Sequence, residues 1–492
     1  MVEKECCKTK SDPVCTAPPS FRGVALYKAR RWSVSTQVKN DFTKGKVWQV
    51  ILRMAVPMAL AQLVNVLYNV VDRMYIGHIP GEGSYALTGL GLTMPVIALV
   101  TAFANLCGMG GGPLCSIARG QGDLPYAEKV MGNAFAMLLV IGALLTAGFL
   151  CFMRPILYLF GASDMTYPYA AAYARVYVIG TLFVMISLGM NSFINAQGFA
   201  RIGMLTVLVG ALVNIVLDPV FIFALRMGLT GAALATVIAQ GCSAAWVMLF
   251  LTGKRAILRF RLKNLIPERK IVTRILTLGI SGFVMSATNS VVQVACNTQL
   301  QKYGGDLYVG VMTILNSVRE VVFMIVHGLT SGSQPVLGYN YGAKAYARVR
   351  EGIRFVTAAG LAYAFLVWAL IELAPGALVH IFNNEPEMLA ACRPAMRLYF
   401  SGFFLMSLQM AGQSTFVALG RAKQAVFFSL LRKVIIVVPL VLLLPGFRGL
   451  GVNGVYFSEP ISDLIGGAAC FSAMILTVYR RLGHNKEKRA VI

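Results

Sequence analysis

An internal duplication constrains this chain more than any other feature, because the second half of the sequence repeats the first about 222 residues later. The loop IARGQGD in the first copy, for example, corresponds to LGYNYGAK in the second. Two similar bundles can move against each other around a shared central site, so a duplicated and very apolar chain is typical of a secondary transporter. The aligned segments are residues 117–123 with 337–344, 174–180 with 396–402, 196–198 with 418–420, 229–232 with 452–455, and Pro57 and Asn65 with Ser281 and Asn289.

Composition places both copies in a membrane. Hydrophobic residues make up 57% of the 492 positions and charged residues only 13%, which excludes an ordinary soluble domain. Twelve apolar stretches, six in each copy, are long enough to cross the roughly 30 Å hydrocarbon layer. Continuous runs of this length must be helices, because unpaired backbone groups are not tolerated in lipid. We predict spans at about 50–77, 87–112, 131–153, 169–192, 205–224, 229–251, 275–300, 308–334, 355–376, 396–419, 425–446 and 452–478.

The net charge of +24 is distributed in a way that indicates membrane orientation rather than nucleic-acid binding. Lysine and arginine crowd the tail 1–46, the link 253–274, the loop around Lys344 and the end 480–489, while the alternate loops are nearly bare. By the positive-inside rule, both termini are therefore predicted to lie in the cytoplasm. No basic patch with stacking aromatics lies on a soluble domain, so no nucleic-acid partner is expected.

The cysteines and histidines form no pattern that would hold a metal or build an active site. Ten cysteines are scattered, with no C-x-x-C motif, and the four histidines lie far apart in the sequence. No phosphate-cradling glycine loop follows a strand. We therefore expect no enzyme activity and no cofactor. Cys6 and Cys7, in the basic tail, fit either a lipidation site or an unmodified reduced pair.

Acidic residues inside apolar spans are costly, which makes them the first candidates for function. With the N-terminus inside, Asp72 in the first span, Asp218 in the fifth and Thr236 in the sixth lie at a similar level. At 1.5 Å per residue, that level is roughly 8–10 Å below the outer edge of the membrane. The assignment of the spans does not impose this agreement.

The segment NIVLDP at Asn214–Pro219 adds further oxygen ligands to this level. Asn214 and Asp218 are four residues apart, so they project from one face of a helix. Pro219 has no N–H, which frees the carbonyl of Ile215 one turn back. Two carboxylates, an amide oxygen, a hydroxyl and a free carbonyl suit a sodium ion or a shared proton.

Purely structural roles are the alternative for these acids. Asp218 could make a buried hydrogen bond between helices, and Asp72 could neutralise Arg73 or cap the outer end of its helix.

The second copy lacks the same acidic pattern. Asp72 aligns with Cys296, and Thr236 aligns with Glu459. Glu459 and Asp463 share one face of the last span around Pro460, which makes them a second, weaker candidate site. The neighbouring residues Arg319 and Glu320 are predicted to form an internal ion pair.

Six motifs occur in order between about residue 42 and residue 480. They are the first-helix pattern at 57–77, the RGQG loop, LFGASD at 159–164, NAQG with Arg201, NIVLDPVFIF at 214–223 and QPVLGYNYGA at 334–343. Through these motifs the chain closely resembles the multidrug and toxic compound extrusion family of secondary transporters, and the match looks closest to the bacterial multidrug branch.

That resemblance implies an all-α membrane protein whose twelve transmembrane helices form two six-helix lobes related by a pseudo-twofold axis. It also implies export of lipophilic, often cationic drug-like molecules from a bacterium through its inner membrane, driven by inward Na⁺ or H⁺. Family members with a cation site in the first lobe use residues that match Asp72, Asn214, Asp218 and Thr236 here. We expect the protein to act as a monomer in the lipid bilayer.

The resemblance further marks Pro57, which matches a proline at which the first helix bends in some members, as a hinge. Members that couple in the second lobe carry an acid on the seventh and on the tenth helix, and this chain has none in 275–300 or 396–419. A coupling site of that type is therefore not expected.

Drug is expected to bind in an apolar cavity between the lobes, because soft and adaptable side chains suit broad specificity. The alternative for aromatic and methionine residues in membrane helices is simple packing. The candidates for the substrate cavity are Asn65, Tyr68, Met190, Phe193, Asn289 and Gln293.

The predicted domain organisation follows the duplication. It comprises a basic cytoplasmic tail at 1–46, a first lobe at 47–252, a cytoplasmic linker at 253–274, a second lobe at 275–479 and a tail at 480–492.

The nearest rival function is that of a flippase for lipid-linked sugars. Such proteins often have more than twelve helices and many cationic residues for phosphate in their cavities. Basic residues within the predicted spans are few, among them Arg53, Arg73, Arg175, Arg319, Arg432 and Lys433.

Overall fold

The structure, a computed structural model, describes residues 40–79, 83–160, 162–380 and 386–483. Cys6 and Cys7, the basic tail up to residue 39 and the end of the chain from residue 484 lie outside the described residues. No expectation about those segments is tested.

The first copy forms six helical spans. They are α1 (Val47–Gly77), α2 (Gly83–Gln121), α3 (Leu124–Cys151), α4 (Tyr167–Ile179 and Thr181–Ala196), α5 (Ala200–Pro219, continued by a π turn at Val220–Ala224) and α6 (Gly228–Thr252). A short helix, Met153–Leu159, connects α3 to α4.

The second copy repeats this order. Its first two spans are one stretch, Arg269–Gly342, broken at Gly305, whose φ of 71° is not helical, so α7 covers 269–304 and α8 covers 306–342. The others are α9 (Tyr346–Leu373), α10 (Pro386–Phe400 and Phe403–Ala418), α11 (Ala422–Leu430, Leu431–Val437, Val438–Leu443 and Leu444–Gly449) and α12 (Val452–Met474, continued at Ile475–Tyr479). The short helix Pro375–His380 matches Met153–Leu159.

The irregularities of the two copies also correspond. α4 bends by 54° at Gly180, and α10 is interrupted at Gly402, 222 residues later. The tight turns that precede α5 and α11 contain Gly198 and Gly420, with φ of 86° and 70°. Such left-handed backbone favours glycine, so the same local chemistry ends the same helix twice.

Most of these spans meet the length and apolarity needed to cross a bilayer. Among the described residues nine helices do so individually, and the bent pair in α4 makes a tenth. The two that fall short, α7 and α10, lie where α1 and α4 lie in the first copy. All twelve predicted spans are therefore present as helices, in two six-helix lobes.

The lobes meet at glycines that allow close helix approach. A Cβ atom at Gly120 in α2 would collide with the backbone carbonyl of Tyr339 in α8, and one at Gly342 in α8 would collide with that of Ile117 in α2. Gly120 and Gly342 are 222 residues apart, and so are Ile117 and Tyr339, so the duplication exchanges the two contacts. This exchange is what a pseudo-twofold axis between α2 and α8 requires.

A second pair of contacts joins each lobe to the first helix of the other. Gly110 in α2 faces the backbone of Ile275 in α7, and Gly332 in α8 faces the backbone of Ala55 in α1. The glycine-rich segment 108–112 thus serves close helix packing, the usual role of small residues in membrane helices.

Away from this interface, each lobe has its own hydrophobic core. Leu138 and Met185 belong to the core of the first lobe, and Leu315 and Tyr456 to that of the second. The domain boundaries themselves stay predictions, although α7 begins at Arg269, within the segment assigned to the linker.

Candidate functional site

The four predicted cation ligands of the first lobe come together between α1, α5 and α6, and we call this group the acidic pocket. Nδ2 of Asn214 donates to Oδ1 of Asp218 at 3.1 Å and reaches Oγ1 of Thr236 at 3.4 Å. The carboxyl group of Asp72 lies beside that of Asp218, close enough for each to affect the charge of the other. Two carboxyl groups at that separation can share one proton or one cation.

The acidic pocket is buried and keeps unused acceptors. Asp218 is 0% exposed, Asn214 2% and Asp72 8%. Oδ1 of Asp72, Oδ1 of Asn214 and Oδ2 of Asp218 have no hydrogen-bond partner among the described residues. Buried polar atoms are nearly always paired, so three unpaired oxygens in one pocket need an explanation.

Arg73 does not supply that missing partner. Its side chain is exposed, and it makes no ion pair with Asp72 in the described structure. Arg73 therefore acts on Asp72 only from a distance, without a direct ion pair.

The backbone below Asp218 is irregular. Pro219 ends the α-helical part of α5 and is followed at once by the π turn Val220–Ala224. Proline lacks the N–H of a regular helix, and single π turns often occur at functional sites. This turn changes the helical register directly after the acidic pocket.

The second-lobe candidates, Glu459 and Asp463, have different surroundings, because both carboxylates already have cationic partners. Oε1 of Glu459 is 3.0 Å from Nη1 of Arg319 and 3.1 Å from Nζ of Lys433. Nη2 of Arg432 lies 3.0 Å from Oε2 of Glu459 and 2.5 Å from Oδ1 of Asp463. A carboxylate already paired with three cations has no reason to bind a fourth.

The predicted pairing of Glu320 with Arg319 is wrong for the same reason. Arg319 is turned towards Glu459 and also donates to the hydroxyl of Tyr399 at 2.7 Å. Adjacent residues on a helix point about 100° apart, so Glu320 cannot follow it and is instead exposed.

The predicted substrate residues divide between cavities and core. Asn65 and Tyr68 line a small cavity of about 40 Å³ beside the acidic pocket. Asn289 and Gln293 line a cavity of about 400 Å³ in the second lobe.

Met190 and Phe193 were also predicted to line the substrate cavity, but the structure places them in the core. Both are fully buried in the core of the first lobe, and the ring of Phe193 faces Gly111. They line none of the described cavities, because they project from α4 towards its neighbours within the lobe rather than towards the other lobe.

A third cavity, of about 270 Å³, lies between the lobes. Both copies contribute to it, including Met58 and Met109 from the first and Met285, His327 and Gln334 from the second. Three methionines line it, but no tyrosine or phenylalanine among the described residues does, and many of its other lining residues are polar, so it is less apolar than the predicted substrate cavity.

Pro57 lies inside an unbroken helix. α1 runs from Val47 to Gly77 with Pro57 buried in its first third. A hinge at this position stays a prediction.

Sequence reasoning missed several residues at both sites. Tyr173 of α4 is 2% exposed and its side chain contacts Thr236. The link between Arg432-Lys433 and Glu459 was also missed, although a dibasic pair opposite an acid in the next apolar span is the usual sign of a buried ion pair.

Two six-helix lobes, a buried acidic pocket and a cavity between the lobes define a membrane transporter of the duplicated type. The profile of the MatE family matches residues 57–220 and 282–443. The chain belongs to this family, as the sequence motifs predicted.

Named relatives agree with that assignment. The multidrug export protein MepA of Staphylococcus haemolyticus is 25% identical over 454 residues, which cover 92% of this chain and 98% of that protein. MepA of Staphylococcus saprophyticus is 26% identical over 443 residues, covering 89% and 95%. A solved structure described as the outward-facing conformation of a multidrug resistance MATE family transporter superposes with a TM-score of 0.84 at 22% identity, covering 91% of this chain and 98% of that one.

Proposed function

We propose that this protein is a secondary active exporter that moves lipophilic, often cationic drugs out of the cell in exchange for Na⁺ or H⁺. The unpaired oxygens of Asp72, Asn214 and Asp218 are the observation that carries the proposal. The names of the MepA relatives support the drug as cargo.

The donor atoms of the acidic pocket fit either coupling ion. Carboxylate, amide and hydroxyl oxygens are the hard ligands that an alkali cation prefers, and a close pair of carboxyl groups can hold a proton instead. Asp72, Asp218 and Asn214 would bind a Na⁺ through the oxygens that now lack partners, with Thr236 at the edge. We found no group of three or more His, Cys, Asp or Glu residues suited to a metal within the described residues.

Coupling follows if ion and drug favour different arrangements of the lobes. An ion between α1 and α5 draws two helices together, and α1 also lines the cavity between the lobes through Met58 and Gln62. Reciprocal coupling of about 1–3 kcal/mol would let the ion weaken drug binding roughly 5–150-fold. Pro57 is where we propose that α1 absorbs the change.

The contacts between the lobes support a definite conformational state. The lobes touch at the ends of α2 and α8, through Gly120 and Gly342, and this contact closes one side of the space between the lobes. The loops that follow belong to the basic side of the sequence, which the positive-inside rule assigns to the cytoplasm. We propose that this is the outward-facing state of a monomer in the bacterial inner membrane, with both termini inside.

The test is transport of a fluorescent lipophilic cation into everted vesicles, which corresponds to efflux from the cell, under an imposed Na⁺ gradient or an imposed proton gradient. Efflux with one gradient and not the other identifies the coupling ion. Absence of a response to both, with folded protein in the membrane, would contradict antiport.

One observation favours the rival function, a lipid-linked sugar flippase. Arg319, Arg432 and Lys433 line the same cavity, as cations for a phosphate would. Two carboxylates offset most of that charge, and the MepA relatives are named as drug exporters, so we retain the exporter. Reconstituted protein that translocates a phosphorylated lipid but no drug would reverse this choice.

A further inference from the structure

The small cavity beside the acidic pocket and the 400 Å³ cavity of the second lobe occupy equivalent places in the two copies. Asn65 lines the first and its counterpart Asn289 the second. In the first copy, the residues of α5 that line the small cavity include Val207, Gly210 and Ala211. The residues of α11 that line the larger cavity lie 222 positions later, and they are Ser429, Arg432 and Lys433. The duplication has thus put cations where the first copy has only small and apolar residues.

Cations exceed their carboxylate partners at this second site, which we call the basic cavity and define by Arg319, Gln409, Ser429, Arg432 and Lys433. Arg432 is 5% exposed and Lys433 is 7% exposed. These two cations and Arg319 face the two buried acids that the ion pairs join to them. A further acid on the cavity wall is exposed and forms no ion pair among the described residues.

Three polar atoms of the basic cavity have no partner in the described structure. They are Nε of Arg432, Oγ of Ser429 and Oε1 of Gln409, and all three residues are at least nine-tenths buried. Neutralising the two acids uses only the Nη2 end of Arg432, so it does not account for its free Nε–H. A guanidinium N–H and a hydroxyl three residues apart on one helix, both lining one cavity, are donors suited to a carboxylate.

We propose that the basic cavity binds the carboxylate group of an amphiphilic substrate, with Arg432 Nε and Ser429 Oγ as its donors. The apolar body of the molecule lies against Met312, Phe323 and Met406, which line the same cavity. Where the substrate is a zwitterion, its cationic group lies towards Glu320 on the exposed wall. Because it names a substrate class, this inference rests on the proposed export function.

The test compares a rhodamine dye that carries a free carboxylate with its methyl ester, since the two share one chromophore and differ only in that group. Fluorescence polarisation of each dye with the purified full-length protein gives the two affinities. We expect the acid to bind more tightly than the ester. Ser429→Ala and Arg432→Lys, which keeps the charge but removes Nε as a donor, should each weaken acid binding about tenfold and leave ester binding unchanged.

Ser462→Ala is the matched control. Ser462 contacts Glu459 at 3.4 Å in the same cluster but does not line the basic cavity, so it should leave the acid-to-ester ratio as in the wild type. Equal affinities for acid and ester in the wild type, or an unchanged ratio in both folded variants, would overturn the inference.

Efflux separates this failure from failure of the proposed function. Gradient-driven efflux of the ester with no acid preference in binding would refute the basic cavity alone. Preference for the acid that depends on Arg432, with no efflux of either dye under any gradient, would refute antiport and leave the binding site standing.

Discussion

Asp218 and Glu459 are both carboxylates buried within membrane helices, but their partners differ. Asp218 has a second carboxyl group and an amide beside it, and one of its oxygens is unpaired. Glu459 contacts Arg319, Arg432 and Lys433. Neutralising Asp218 relieves its repulsion with the neighbouring carboxyl group. Neutralising Glu459 leaves the buried cations around it without their counter-charge. The two residues should therefore respond in opposite ways to the same chemical change.

Asp218→Asn should abolish gradient-driven drug efflux while the protein keeps its thermal stability, because an isosteric amide removes a charge that no described residue balances. Efflux and melting temperature are measured on the same preparation. Glu372→Gln is the control, because Glu372 is an only partly exposed acid. It lies at the end of α9, away from the acidic pocket, and its carboxylate is 3.8 Å from Arg397. Efflux at the wild-type rate in Asp218→Asn would show that the acidic pocket does not couple transport.

Glu459→Gln should instead destabilise the fold. Removing one partner from a buried ion cluster costs about 3–5 kcal/mol, because the remaining cations stay desolvated. Thermal unfolding in detergent measures the loss, and Glu459→Gln combined with Lys433→Met should recover part of it by removing a cation as well. A melting temperature equal to that of the wild type would mean that the cluster is hydrated and its ion pairs are weak.

The acidic pocket was predictable from the sequence for a physical reason, and the basic cavity was not. The rise per residue fixes the depth of Asp72, Asp218 and Thr236 in the membrane without knowledge of the packing. Which way a residue faces around its helix depends on the neighbouring helices, so Met190 and Phe193 were assigned to a cavity although they lie in the core. Arg319 was paired with its sequence neighbour because its partner in α12 is 140 residues away.

At the scale of helices, glycines decide how closely α2 approaches the second copy. Gly110 faces the backbone of α7, whereas a Cβ atom added at Gly91 on the same helix would have nothing within 4 Å. The same substitution at both positions therefore separates the effect of packing, which differs between them, from the effect of helix propensity, which both positions share.

Gly110→Val should destabilise the protein by about 1–3 kcal/mol or more, because the added side chain meets backbone that has no room to move. Gly91→Val, in contact with lipid or water, should change the melting temperature little. Thermal unfolding of both variants checks this. A similar loss in the two variants would indicate that the valine acts on the helix itself and not on the interface.

The duplication made the helices predictable, but not their irregularities. Span positions follow from apolar length alone, although α7 and α10 do not meet the length and apolarity needed to cross a bilayer as single helices in the described structure. The bend at Gly180 and the π turn after Pro219 arise from local backbone hydrogen bonding. Neither changes hydropathy, so neither can be seen in the apolar pattern.

On the scale of the whole molecule, closure at the basic side depends on α2 and α8. A Cβ atom at Gly338 in α8 would lie 3.3 Å from Cβ of Ser116 in α2, just below the separation found in a disulfide, and 2.9 Å from the backbone carbonyl oxygen of Ala418, so a cysteine there requires a small shift of α8. In a protein that works by alternating access, these helices must separate in the other state. A covalent link between them would hold the molecule in the state described.

Ser116→Cys combined with Gly338→Cys should stop efflux when the pair is oxidised and restore it when a reductant is added. Drug binding from the outer side should survive oxidation, because the link holds open the side from which the drug leaves. Each single variant is the control for the free cysteines of the chain, among them Cys115 next to Ser116. Full efflux by protein shown to be cross-linked would mean that α2 and α8 stay together throughout the cycle, and that transport needs a smaller movement within one lobe.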